Sequence, residues 1–519
     1  MTITNFNQLL ERSERRFGDR PVVTMDGETW SYARLAATAR RVSRLLHAAG
    51  IRKGDSVGIL LANQPMFLAC MFGVAGIGAL PVLINAFYGP KEIVGIATHS
   101  GIELLLVQPR VRGQDLLELI DSARAAGSLP ALQTLWVVAD DPTGAHPHLQ
   151  TLLASDDAPQ LPADIDQTIG ADDLGVCIYT SGTTGHSKGV LQTYDGLLEN
   201  ARVTAGLMAY SDTDVLLPAL PLFSSAGISL TLISVWSGTH MVLIDRNNAD
   251  IILETIENHR VTILDMVPSG LKLLMKFNER RGRDVSSLRL VVVGGDSSPP
   301  DVGKQVLSDL SCNFAVVYGL TETGPVVSIT RLDDDVEQKV ATVGPPIDGM
   351  EVAIRDHARC DVTAGEVGEV CCRGRYVLPG YLHNQEATDQ CKDRDGWFYT
   401  GDLGYLRPDG RLVIVGRKKD MILIGGNNVF PSEVEAHLIQ HPGIKEVAVV
   451  GIESATRGNY LSAFVLAKDP ALDVSELRGF CGQLAAFKVP RNVVIVEQFP
   501  YTGSGKVDKR ALLCQHPDA

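Results

Sequence analysis

A chain of 519 residues with 47 basic and 61 acidic side chains carries a formal net charge of −14. Its 45% hydrophobic and 21% charged residues supply a large core, and at roughly 150 residues per domain the length allows about three units. The acidic balance excludes a primary role on nucleic acid or anionic membrane, which reward a cationic face, but leaves room for a local cationic pocket.

The opening residues, MTITNFNQLLERSERRFGDRP, are polar and lack the apolar run of a secretory signal. Ser56–Leu61 reads as a strand and Met66–Val74 as a helix. The uncharged stretch Pro65–Ile84 is about long enough to span a bilayer. Gly73, Gly76, Gly78 and Pro81 divide it instead into a buried helix and the strand Leu80–Ile84, so a soluble chain with no membrane partner is expected. Leu174–Ile178, Val215–Leu217, Thr239–Leu243, Val261–Val267, Leu288–Val293 and Ala315–Val317 follow as strands, with helices such as Ile251–Asn258 and Ser269–Phe277 between them. Strand–helix alternation on this scale predicts parallel sheets covered by helices, with ligands at the carboxyl ends of the strands.

After about residue 350 the texture changes. Gly365, Gly368, Gly374 and Gly380 punctuate short strands such as Gly368–Cys372, which predicts a smaller β-rich unit. The cluster Arg417–Asp420 interrupts the apolar runs Leu412–Val415 and Met421–Ile424. Beyond it come a helix at Pro431–Leu438, strands at Glu446–Val450 and Ser462–Ala467, a helix at Val474–Ala486 and a strand at Asn492–Val496. The expected class is α/β. A large N-terminal domain of packed sheets and helices (1–417, its β-rich subdomain about 345–417) precedes a small α+β domain (418–519). The nine cysteines have no zinc-ligand spacing and stand singly except for Cys371 and Cys372, which suits buried thiols in a reducing cytoplasm.

The strongest local signal is Tyr179-Thr-Ser-Gly-Thr-Thr-Gly-His-Ser-Lys-Gly-Val190. A loop dense in Gly, Ser and Thr can turn backbone N–H groups and hydroxyls inward as an anion nest, with Lys188 as a mobile cation. It is not a Walker loop, because Ser187 stands where that motif needs glycine. Alone, it is equally a surface turn. It has company, however: Tyr318-Gly-Leu-Thr-Glu-Thr-Gly324, Trp397-Phe-Tyr-Thr-Gly-Asp-Leu403, Gly416-Arg-Lys-Lys-Asp-Met-Ile422, Gly425-Gly-Asn-Asn-Val429 and Gly503-Ser-Gly-Lys506. In this order and spacing, over almost the whole chain, the set resembles the adenylate-forming (ANL) superfamily of acyl-CoA synthetases, adenylation domains and luciferases.

The resemblance implies an enzyme with two steps. A carboxylate attacks the α-phosphate of ATP to give acyl-AMP and pyrophosphate, and a thiol then attacks the acyl-AMP to give a thioester and AMP. It implies that Thr180, Ser181, Gly182, Thr183, Thr184, Gly185 and Lys188 wrap the phosphates. Thr321 would contact the α-phosphate and Glu322 would hold Mg²⁺. Tyr318 would stack on adenine, whose edge lies near Gly294, Gly295 and Asp296, while Asp402 and Arg417 would hold the ribose. Lys419 would be the pivot of a domain rotation. The rotation brings Lys506 to the site for adenylation, then Gly425 and Gly426 to line the path of the coenzyme A thiol.

This sequence departs from the family pattern at three places. Ser187 replaces a usual proline. Ser224, in Pro221-Leu-Phe-Ser-Ser-Ala-Gly227, replaces a histidine, and Tyr194 replaces another. Phe223, Ser224, Ala226 and Gly227 are the expected acyl-pocket residues, with Gly294 and Gly295. Amino-acid adenylation domains place an aspartate at the position of Ser224, and its absence favours a carboxylic acid without an α-amino group. Fatty, aromatic and polycyclic acids all stay open. So do two alternatives to CoA ligation: an enzyme restricted to the thioesterification half-reaction, and a ligase loading a separate carrier protein.

Overall fold

The β-branched runs pair into mostly parallel sheets whose carboxyl ends collect the expected site residues. The computed structural model describes residues 3–139, 144–155, 159–180, 187–295, 300–424, 427–452, 459–468, 472–481, 484–501 and 507–516. The chain divides into two compact units: Met1–Val352 with Cys372–Phe398, and Ala353–Cys371 with Tyr399–Ala519. Most of the β-rich stretch thus groups with the C-terminal residues.

The first unit holds two large sheets. An eight-stranded sheet runs in the order Ser328–Ile329, Asn313–Tyr318, Leu290–Gly294, Ile263–Met266, Val215–Pro218, His240–Val242, Pro21–Met25 and Glu28–Ser31. Only its two edge pairings are antiparallel. A six-stranded sheet runs Lys188–Thr193, Leu174–Thr180, Leu80–Leu83, Ser56–Leu60, Leu104–Val107 and Thr134–Val137. Strands such as Leu80–Leu83 and Leu104–Val107 are buried at every position, as expected of parallel sheets with both faces covered.

The uncharged stretch resolves as expected. Pro65–Ala75 is a helix with all 11 residues buried, started by Pro65 at its first turn, and the strand Leu80–Leu83 follows. Burying each of its larger apolar side chains is worth about 1.5–3 kcal/mol, so the segment belongs to the core. No helix among the described residues is long and apolar enough to cross a membrane.

A four-stranded sheet follows in the order Met350–Arg355, Gly368–Gly374, Phe398–Leu406 and Leu412–Arg417. Further along, Ile444–Ile452, Tyr460–Ala467 and Asn492–Ile495 form a three-stranded sheet. Its alternating side chains feed two cores. Leu461, Ala463 and Val465 pack with Val434, Leu438 and Leu477 on one face, and Phe464 packs with Phe499 and Leu512 on the other. One expected element is shorter than the pattern suggested. Among the described residues the helix from Val474 reaches Cys481, and Ala486–Lys488 is a separate single turn.

Candidate active site

The strand Leu174–Thr180 ends on Thr180, and its antiparallel neighbour Lys188–Thr193 begins on Lys188, so register places the two residues opposite each other. Ser181, Gly182, Thr183, Thr184 and Gly185 lie outside the described residues. Tyr179, just before them, is anchored by a 2.7 Å hydrogen bond between its hydroxyl and His99 Nδ1.

On its other side the strand Lys188–Thr193 is held by the segment 380–382. Leu191 N donates to Gly380 O at 3.2 Å, and Leu382 N donates to Gly189 O at 2.8 Å. This pairing sets Tyr381 beside the start of the strand. Its ring centroid lies 5.0 Å from Lys188 Nζ, a cation–π distance, and its hydroxyl donates to Glu322 Oε1 at 3.1 Å. Glu322 sits in the single turn Thr321–Thr323, fixed through its backbone: Leu378 N donates to Glu322 O at 2.8 Å, and buried Gln192 Nε2 donates to Thr321 O at 2.7 Å. Lys188 and Glu322, far apart in the chain, therefore gather around one phenol, with Thr321 beside Glu322 in the same turn. Burial, Glu322 and the Cys391 thiol all push the Tyr381 hydroxyl above its ordinary pKa, so it stays protonated and donates. Burial raises the Cys391 thiol too.

The expected adenine side lies on two adjacent strand ends. Gly294 closes Leu290–Gly294 and pairs with Val317, one residue before Tyr318. A β-carbon at Gly294 would lie 2.2 Å from Val317 Cγ1, so a side chain here would have to push the Val317 side chain aside. Asp296 lies outside the described residues.

In the expected acyl pocket, Phe223 is buried and packs edge-on against Phe87 with ring centroids 5.4 Å apart. Ser224 caps the helix Ser225–Ser237. Its Oγ accepts from Gly227 N at 3.1 Å and donates to Pro221 O at 2.7 Å. Ala226 is exposed. A β-carbon on Gly227 would stand 2.3 Å from Pro221 O and 2.5 Å from Leu222 Cα. Gly227→Ala is therefore expected to displace the Pro221–Ser224 turn and cost about 1–3 kcal/mol, read as a lowered midpoint in denaturant unfolding.

Within the second unit, Asp402 and Arg417 are opposite residues of paired strands. Asp402 is 4% exposed, and its Oδ1 meets Arg417 Nε at 3.1 Å. Glu369 steadies the surroundings, accepting from Gly401 N at 3.1 Å and pairing with Lys418 at 2.8 Å. Lys419 is exposed in the turn Lys418–Asp420 that follows. Gly425, Gly426 and Lys506 lie outside the described residues.

The family model for AMP-binding enzyme matches residues 10–382, and that for AMP-binding enzyme C-terminal domain matches residues 433–506. The chain belongs to the AMP-binding enzyme family. It is 32% identical to a feruloyl-CoA synthase of Amycolatopsis sp, with 93% of each chain covered. Among solved structures it resembles ATP-bound MatB from Rhodopseudomonas palustris (TM-score 0.88, 28% identity, 99% of each chain). It also resembles the anthranilate CoA ligase AuaEII in complex with anthranoyl-AMP (TM-score 0.88, 26% identity, 98% of this chain and 97% of that one).

Within this AMP-binding enzyme two residues gain meaning that the sequence reading did not give them. Tyr381 carries no motif signal of its own, since it stands outside the motifs and is placed by pairing with a distant strand. Tyr194, read as a departure near the site, is a core residue. It is fully buried, donates to Ala75 O at 2.7 Å and packs edge-on against Phe6 at 4.9 Å. Its ring fills a gap between helices, which accounts for an aromatic residue there without a catalytic role.

Proposed function

We propose that this AMP-binding enzyme is an acid–thiol ligase that converts a non-amino carboxylic acid into its acyl-CoA thioester through an acyl-AMP intermediate. The observation that carries the reading is the convergence of Lys188 and Glu322 on Tyr381, with Thr321 in the same turn as Glu322. It supplies a cation and a carboxylate, rigidly supported, next to the loop expected to hold phosphate. A hard carboxylate oriented by a phenol suits Mg²⁺, which keeps most of its ligands as water and phosphate oxygens. When bound, Mg²⁺ would neutralise phosphate charge. Thr180 and Lys188 bind the pyrophosphate end of ATP, Thr321 orients the α-phosphate, and Tyr318 with Gly294 and Gly295 brackets adenine. Asp402, aligned by Arg417, accepts from the ribose hydroxyls. Rotation about Lys419 alternates Lys506 with Gly425 and Gly426 at the site.

The test is a panel of acids supplied with ATP, Mg²⁺ and CoA, scoring pyrophosphate and thioester separately and repeated with synthetic acyl-AMP. Thioester from supplied acyl-AMP alone would replace this reading with the half-reaction enzyme.

Tyr381→Phe removes the hydrogen bond to Glu322 and keeps the ring under Lys188. The Mg²⁺ concentration for half-maximal pyrophosphate release is expected to rise about 10–100-fold, with little change in unfolding temperature. An unchanged Mg²⁺ titration would deny Tyr381 its orienting role.

A further inference from the structure

The helix Pro90–His99 ends on His99, beside the strand Leu174–Thr180 that leads into the expected phosphate loop. Its residues Ile93, Ile96 and Ala97 are buried, and Thr98 Oγ1 donates to Ser128 O at 2.8 Å, so the last turn is held from two sides. From this fixed point the His99 ring meets two other side chains. Its Nδ1 lies 2.7 Å from the Tyr179 hydroxyl, and its centroid lies 6.0 Å from that of His383, edge-on. His383 follows directly on the segment 380–382 that pairs with the strand Lys188–Thr193. One exposed histidine thus touches both neighbours of the opening between Thr180 and Lys188.

Tyr179 connects His99 to that opening. It is 7% exposed, and its ring lies over Gly189, its opposite residue in the strand register. A β-carbon on Gly189 would stand 3.0 Å from Tyr179 Cζ and 3.2 Å from Leu382 Cβ. Thr180, one residue after Tyr179, and Lys188, one residue before Gly189, are themselves opposite each other. The phenol therefore covers both strands where they part, and His99 holds its tip. The adjacent Ser100 hydroxyl is engaged within the helix, donating to Ile96 O at 2.7 Å. Burial first, and Cys177 next, raise the Tyr179 phenol, so it stays protonated. Partial burial, then His383, hold His99 below its ordinary value, so near neutrality the uncharged ring accepts at Nδ1 while Tyr179 donates.

We propose that His99 is a positioning residue for the triphosphate of ATP: by tethering Tyr179 it steadies the strand ends that carry Thr180 and Lys188. The inference rests on the nucleotide assignment above. Groups that grip an anion bind it best when they are already in place, because any ordering left to the moment of binding is subtracted from the affinity. A phenol tied at both its backbone and its hydroxyl leaves little such ordering at Thr180 and Lys188. The benefit is local. It reaches the pyrophosphate end of ATP and not the adenosine or the α-phosphate, which are assigned to Tyr318, Thr321 and Asp402. AMP, lacking the β- and γ-phosphates, is therefore an internal control.

The experiment measures dissociation constants for ATP with Mg²⁺ and for AMP by titration calorimetry, without acid or CoA, so the identity of the acid does not enter. Wild type is compared with His99→Ala, His99→Asn, Tyr179→Phe and the double variant His99→Ala with Tyr179→Phe. His99→Ala and Tyr179→Phe are each expected to weaken ATP by roughly 3–10-fold, the worth of one hydrogen bond, and to leave AMP within about twofold of wild type. The double variant should bind ATP no more weakly than either single one, because both remove the same contact. His99→Asn, whose Oδ1 can accept in place of Nδ1, should restore most of the affinity for ATP. If Tyr179→Phe does not fold, His99→Ala and His99→Asn decide. Unchanged ATP affinity in His99→Ala, equal losses for ATP and AMP, or additive losses in the double variant would each overturn the inference and leave the nucleotide assignment standing. Failure of wild type to bind either nucleotide would overturn both.

Discussion

Lys506→Ala is expected to reduce ATP-dependent pyrophosphate release by about 100–1000-fold or more, while thioester formation from supplied acyl-AMP stays within a small factor of wild type. The reason lies in where charge develops. In the first step a carboxylate approaches an already anionic phosphate, and a fixed ammonium offsets that repulsion in a site from which water is largely excluded. In the second step the thiol attacks the carbonyl carbon of acyl-AMP rather than the anionic phosphate, and on the proposed domain alternation Lys506 has left the site. The two half-reactions are measured separately, by pyrophosphate release and by thioester mass. Equal loss in both would remove Lys506 from its assigned role and undercut the alternation with it.

Asp265→Asn is expected to stabilise the protein at pH 8 and to leave its stability nearly unchanged at pH 4. Burial raises the Asp265 carboxyl from an ordinary value of 3.8 to about 7, with no cation beside it among the described residues. The folded protein therefore holds this proton over a range in which the unfolded chain has released it. Its stability falls as pH climbs from about 4 through 7 and then levels. A displacement of that size is worth at most about 4 kcal/mol, and less to the degree that partial solvent contact screens the charge. Asparagine is uncharged throughout, so the difference between the two proteins isolates Asp265 from other carboxylates. Denaturant melts at pH 4, 6 and 8 provide the check, and a difference that does not vary with pH would contradict it.

Legibility followed the reach of each signal along the chain. Strands such as Leu290–Gly294 and helices such as Ala249–His259 announce themselves in a few residues, because β-branched runs and a period of 3.6 need no distant partner. The uncharged stretch from Pro65 was readable for the same reason, with glycines and prolines marking its breaks. Lys188, Thr321 and Glu322 were legible only through their motifs. What joins them is Tyr381, and its place depends on pairing between 188–193 and 380–382, almost two hundred positions apart. Asp265 was hidden in the opposite way. It sits inside a run that reads correctly as a strand, and only the assembled sheet reveals which face it occupies and what it lacks. Tyr194 shows the converse hazard: a position that stands out beside a motif can owe its residue to packing against Phe6 and Ala75.

The two cores of the three-stranded sheet carry a further consequence. Among the described residues, those that fill them fall between Ile422 and Leu513. A segment that furnishes its own interior can be inherited, exchanged or retuned as a cassette, because no buried partner elsewhere must change in step. Recombining this segment with that of a relative is accordingly expected to leave its folding intact.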